Sequence, residues 1–266
     1  VVVIEDADRL TDSAANALLK AVEEPGLRTV WLLCAPTLTD VLPTIRSRCR
    51  HLSLRTPSTK AITKLLIERD SIDAATAEFV AKASGGHIGR ARRLATDTNA
   101  KENRKNIMKL PFTIKDIVSA YKAAQYLVEA AKADALADSE AKDELEISKL
   151  KEAWGASGSK LAAGGSKAVK ELEKEQKSRS TRMVRDYLDR ALLDLSTLYR
   201  DVLLVQSGSN DSLINEDLKS EISKLAATEG PARTLKKIEA ILKTRSNLAQ
   251  NAAPLLLIEA LMCELR

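Results

Sequence analysis

Apolar positions follow two rhythms along this chain: short unbroken runs near the start, and a helical period over the long remainder. Val1 to Ile4 is a continuous apolar run without alternation, the pattern of a parallel strand buried on both faces. Thr11, Asp12 and Ser13 then offer N-caps to a helix with Ala14, Leu18, Leu19 and Val22 on one face, and Pro25-Gly26 stop it. Thr29 to Cys34 reads as a second buried strand, closed by Pro36. Strand, helix and strand at this spacing predict a βαβ crossover in a doubly wound sheet, with further strands expected from sequence outside this chain. A short helix over Thr39 to Arg46 and an edge strand in "RHLSLR" complete this part.

Thr56-Pro57-Ser58 marks a boundary. Beyond it the spacing predicts helices over Ser58 to Arg69, Asp73 to Ala83 and His87 to Thr96, the last two parted by Ser84-Gly85-Gly86. From Lys101 every segment is helical in period, with breaks expected at Pro111, at the glycine-rich 155–166, at "QSGSNDS" and at Gly230-Pro231. Leu188, Leu192, Leu195, Leu198 and Val202, beside Ala191 and Tyr199, form an apolar stripe too wide to stay uncovered. With Ile238, Leu242, Leu255, Leu256, Ile258 and Leu261 it predicts a C-terminal helical bundle, packed either within this chain or against neighbours. The expected division is 1–56 as the C-terminal part of an α/β domain, 57–100 as a helical lid, and 101–266 as a helical bundle. A charged, peripheral insertion is expected at about 134–167.

Composition agrees with a mainly helical molecule: 44% of residues are hydrophobic, 30% charged and only 3% aromatic. The net charge of +5 and pI near 9.0 permit contact with nucleic acid without requiring it. Cys34, Cys49 and Cys263, widely spaced in settings that read as buried, build neither a disulfide framework nor a zinc site. His51 and His87, too far apart in sequence and without thiolates around them, read as structural. No apolar run reaches membrane-spanning length, and the start carries no secretory signal, so cytoplasm is the expected compartment. Val1 stands where an initiator methionine would, so the chain is expected to be part of a longer protein.

Glu5, Asp6 and Asp8 follow the first strand, where open α/β sheets bind their ligands. Alone they are a weak signal, because acids also favour the positive end of the next helix. Lys167, Lys170, Lys174 and Lys177, joined by Arg182 and Arg185, recur at helical spacing and could track phosphates. Interleaved Glu171, Glu173 and Glu175 favour intrahelical pairing and a solvated face instead. No G-x-x-x-x-G-K-[ST] occurs, and Gly164-Gly165-Ser166-Lys167 has the wrong order and no strand before it.

Three further segments give the acids a context: "NALLKAVEEP", "PTIRSRCRHL" with Ser47-Arg48-Cys49, and "ASGGHIGRARRLA" with Arg90. This order resembles the clamp-loader branch of the AAA+ proteins. "LLCAPTLTDVLPTIRSRC" and "ELEKEQKSRSTR" bring it closest to the stationary subunit of the bacterial DNA polymerase III loader, of an actinobacterial type. The resemblance implies an incomplete P-loop domain, a lid, and a collar bundle. It implies that Arg48 is a finger delivered in trans to ATP and Mg²⁺ of a neighbouring subunit, with Ser47 orienting its turn and Cys49 a small buried hydrophobe. Glu5 and Asp6 correspond to a degraded Walker B pair in inverted order, Thr37 to sensor 1, and Arg90 to a sensor-2 arginine. The two other arginines of "GRARR" are expected to be mostly solvated. The chain's own ATPase is expected to be weak or absent, and whether it binds nucleotide stays open. Implied partners are the gamma/tau and delta subunits, the sliding clamp and, through the complex, primed DNA, with no membrane. Two other functions fit the same residues: a hydrolysing motor subunit of gamma/tau type, and a helical adaptor keeping AAA+ remnants.

Overall fold

The computed structural model describes the chain except residues 6, 27, 36, 155–164, 210 and 251. It falls into two compact units, Val1–Thr56 and Pro57–Arg266. In the first, β1 (Val2–Ile4) and β2 (Trp31–Leu33) run parallel with Val2 opposite Trp31 and Ile4 opposite Leu33. They are joined through α1 (Asp12–Glu23), whose N-cap Thr11 accepts a hydrogen bond from the Ala14 amide. A 3-10 turn at Leu38–Asp40 and the one-turn α2 (Pro43–Arg46) stand where a single helix is expected, because Pro43 suits a helix start and not an interior.

The crossover is therefore present, but its burial is not. Val1, Val2, Val3, Val30 and Leu32 are exposed. Among the described residues the sheet has two strands, and one helix covers at most one face of it. The expected edge strand also fails to form: residues 50–57 carry no strand, Leu52 and Leu54 are exposed, and the two-stranded ladder offers them no partner.

The second unit opens with α3 (Thr59–Asp70), α4 (Ala74–Ala83) and α5 (Ile88–Thr96). Their N-caps are Ser58, Asp73 and His87, whose side chains accept from the amides of Ala61, Thr76 and Arg90. Gly85 and Gly86 turn the chain between α4 and α5 with φ of 61° and 92°, a region that side chains rarely adopt. Ile62, Leu66, Ala77, Val80, Ala81, Ala91 and Leu94 close the small core of these three helices.

The larger core lies among α6 (Thr98–Thr113), α7 (Ile117–Ala153), α8 (Gly165–Gln206), α9 (Lys219–Thr228), α10 (Pro231–Ala249) and α11 (Pro254–Glu264). Pro111 does not break α6. It sits buried in the last turn, where one missing backbone hydrogen bond is tolerated, and the helix ends after Thr113. Leu188, Leu192, Leu195, Leu198, Tyr199 and Val202 are fully buried, each leucine worth roughly 1.5–3 kcal/mol relative to exposure. Ile241, Ile258 and Leu261 join them, whereas Leu242, Leu255 and Leu256 are exposed and lie outside this core. The fold class is that expected from the sequence: a small α/β remnant followed by a mainly helical body.

Over its described part the 134–167 region is helical. The distal half of α7 and the first half of α8 pair as an antiparallel hairpin, through Asp138 with Tyr187, Asp143 with Arg179, and Glu146 with Gln176. Ala135, Ser139 and Gln176 are buried there. Residues 155–164, most of the glycine-rich stretch, lie outside the described residues.

Candidate functional site

Glu5 follows β1 directly and is exposed. Parallel pairing carries on past the strands, since the Cys34 amide donates to the Ile4 carbonyl at 2.8 Å and the Ala7 amide to the Cys34 carbonyl at 2.9 Å. The acidic end of β1 and the end of β2 are thus one edge. Thr37 comes next on the β2 side, exposed, its Oγ1 hydrogen-bonded to Thr39 Oγ1 at 2.8 Å. Asp6 lies outside the described residues. Asp8 Oδ1 is buried without a hydrogen-bond partner among them.

Arg48 sits elsewhere in the same unit. Its Nε donates to Glu23 Oε1, and its Nη1 donates to the Thr44 carbonyl at 2.9 Å and to Ser47 Oγ at 3.3 Å. Ser47 Oγ in turn donates to the Thr44 carbonyl at 3.1 Å, so the serine does orient this turn. Glu23 is the last residue of α1, whereas the acids of β1 lead into its start. A 12-residue helix is about 18 Å long, so Arg48 is held at the far end of α1 from Glu5. It cannot serve the strand-end acids of its own chain in this arrangement. The Arg48 side chain remains 37% exposed, and its Nη2 makes no hydrogen bond among the described residues. Cys49 beside it is half-buried and Cys34 is exposed, so neither is the buried hydrophobe expected.

Of the arginines of α5, Arg92 is exposed, as expected, whereas Arg93 is half-buried and Arg90 nearly buried, and all three are paired. Arg90 pairs with Asp194 of α8, and Asp194 Oδ1 also accepts from Arg104 Nε at 3.0 Å. All three side chains are nearly buried. Arg104 Nη2 reaches Asn215 Oδ1 at 2.6 Å, and Asn215 Nδ2 donates to the buried Asp201 at 2.9 Å. Arg92 pairs with Asp70, while Arg93 bonds Asp138 and Tyr187. Burial pushes the carboxyl of Asp134 above its ordinary value, against the pull of nearby Arg93 and the Asn103 amide. Asp194 and Asp201 were missed in the sequence, although their seven-residue spacing beside the apolar stripe of α8 was a usable signal.

Glu5 and Thr37 share an edge of the first unit, and Thr37 is engaged with Thr39. Arg90 belongs to the second unit and its guanidinium is committed to Asp194. Among the described residues there is no group of three or more side chains arranged to hold a metal ion. No described helix is long and apolar enough to cross a membrane.

Comparison with known proteins places this geometry. Residues 1–58 match the family model described as "DNA polymerase III, delta subunit", and residues 185–266 match that described as "DNA polymerase III, delta subunit, C terminal". The DNA polymerase III subunit delta' of Bacillus subtilis is 28% identical over 249 residues, 94% of this chain and 60% of that protein. The delta' subunit of Haemophilus influenzae is 35% identical over 112 residues, 41% of this chain and 33% of that protein. The chain belongs to the DNA polymerase III delta-prime family. The relation extends to the wider clamp-loader group: the gamma/tau subunit of Mycobacterium tuberculosis is 35% identical over 91 residues, 32% of this chain and 16% of that protein. The chain spans only 33% and 60% of the two delta' relatives. Residues 59–184, which hold α3 to α7 and the first part of α8, lie outside both family models.

Proposed function

We propose that the chain acts as a delta-prime-type clamp-loader subunit, helping ATP-driven loading of the sliding clamp onto primed DNA as structural support and by an arginine supplied in trans. The observation that carries this reading is the position of Arg48. It is braced by Glu23, the Thr44 carbonyl and Ser47 at the end of α1 remote from its own strand-end acids, with part of its planar fork still open. A guanidinium held in this way can neutralise charge on a phosphoryl group of ATP bound by a neighbouring subunit. The partners are the gamma/tau and delta subunits, and the compartment is the cytoplasm.

On this reading the chain's own ATPase is weak or absent. Glu5 precedes Asp6, the reverse of the order in active relatives, and Thr37 spends its hydroxyl on Thr39. For Arg90 to contact nucleotide it would have to leave Asp194.

The test is single-turnover ATP hydrolysis in complexes reconstituted with wild-type or variant subunit, with clamp and primed DNA. Arg48→Ala is expected to assemble normally, since one exposed arginine contributes little to stability. It should lower hydrolysis at the site it serves by up to ~10³-fold, and Arg48→Lys should rescue poorly because an ammonium lacks the fork. Equal rates at the neighbouring site would remove Arg48 from the mechanism. Turnover near ~1 s⁻¹ by the purified full-length subunit alone would return the motor reading.

A further inference from the structure

The face of α8 that the family models do not cover carries a row of cations without partners. Lys167, Lys170, Lys174 and Lys177 are exposed, and among the described residues none makes an ion pair. Pairing with Glu171, Glu173 and Glu175, favoured by the spacing, does not occur. Helical geometry explains why. At 100° per residue the lysines fall within one narrow stripe, with Glu171 and Glu175 beyond one rim and Glu173 beyond the other. Gln176 and Arg179, which bond α7, lie on the opposite side of the helix. The lysines therefore occupy the outermost face of the hairpin, in a straight row about 15 Å long.

We propose that this row is a docking surface for the phosphate backbone of duplex DNA. The exposed residues sharing its face are Ser166, Ser178 and Thr181, polar groups that suit phosphate contact. No aromatic or large aliphatic side chain stands on it to anchor a protein partner. The row of about 15 Å runs alongside about four phosphates of a strand that presents one per ~3.4 Å of axis. A rigid helix suits a duplex of fixed shape, and the absence of stacking residues argues against single strands. Contact of this kind is independent of base sequence.

The experiment is fluorescence anisotropy of a labelled 30-base-pair duplex of arbitrary sequence with the full chain, without nucleotide or other subunits, over a salt series. The wild-type chain is expected to bind, with a log–log salt slope to which this row contributes about −3 to −4. The variant Lys167→Gln/Lys170→Gln/Lys174→Gln/Lys177→Gln should bind at least ~10-fold more weakly at 50 mM salt and lose about that slope. Glutamine keeps helix propensity, and the corresponding four Lys→Arg changes should retain affinity, which separates loss of charge from loss of fold. A variant with Lys101, Lys105, Lys109 and Lys115 changed to Gln removes equal charge elsewhere and should bind nearly as wild type. Equal losses in both glutamine variants would make the effect one of net charge and overturn the proposal. So would unchanged binding by the stripe variant, or stripe-dependent binding of polyglutamate with none of duplex. Arg48→Ala should bind duplex as wild type, so failure here and failure of the trans-arginine reading are told apart.

Discussion

Asp194 anchors a buried network of charged and polar side chains. One carboxylate accepts from Arg90 and Arg104, and Arg104 continues through Asn215 to Asp201. Removing a single partner from such a group leaves charges without water or counter-ion, which is costly even where the intact pair is not. Asp194→Ala is expected to lose about 3–5 kcal/mol, read as a fall in the urea midpoint. A loss under about 1 kcal/mol would mean that water reaches both guanidiniums. Acid behaviour has separable contributors. Hydrogen bonds from the Ser119 and Thr76 amides hold Asp116 and Asp73 below their ordinary value, and Arg179 does the same for Glu146. Depressed groups give stability that is present above their unfolded pKa and lost as pH falls through the folded one, so the effect belongs below about pH 4. Asp134, raised by burial, acts in the opposite sense. Asp116→Asn should make the fall in urea midpoint between pH 5 and pH 3 shallower, and an equally steep fall would count against this account. The sequence made Arg48 and Ser47 legible through their frame. It hid Glu23 as the brace and Asp194 as the anchor of Arg90, because both contacts join positions far apart in the chain.

Elements whose ends are set by local chemistry could be read in advance, and those set by tertiary contact could not. Ser58, Asp73 and His87 each stand at the N-cap that the spacing indicates, since a side-chain acceptor and an apolar period are both local signals. Residues 50–55 have strand composition but no ladder, and ladders are not local. The α7–α8 hairpin lies between these cases. Its outer α7 half, residues 134–153, holds seven acids against three lysines, while residues 165–186 of α8 hold seven cations against four acids. Opposite charge thus substitutes for the large apolar residues the segment lacks, through Arg179 with Asp143 and Glu146. Deleting 138–166 would take away only one side, stranding Arg179, Gln176 and Tyr187. Deleting 140–183 behind a short linker removes both and keeps Asp138 opposite Tyr187. The first variant is expected to melt well below wild type and the second within a few degrees of it. Equal melting temperatures would show the hairpin pairing to be energetically idle.

At the scale of the whole molecule, stability is unevenly distributed between the two units. All three clusters of buried apolar residues draw on the second unit, from Ile62 to Leu265. Among the described residues, Val1–Thr56 buries Ala7, Ala15 and Ile45 of its hydrophobics and leaves Val2, Val3 and Leu32 of its strands exposed. Folding must offset roughly 1–2 kcal/mol of backbone entropy per residue, and so few buried side chains fall far short over that unit. Residues 57–266 expressed alone are therefore expected to fold, keeping the helical circular-dichroism signal per residue and melting cooperatively within a few degrees of the full chain. Residues 1–56 alone should show no cooperative transition and exchange their amide protons at nearly unfolded rates. If 57–266 melts broadly, or far below the full chain, its cores need the first unit and the ledger above is wrong. A sharp transition in 1–56 would mean that its exposed strands find cover in one another.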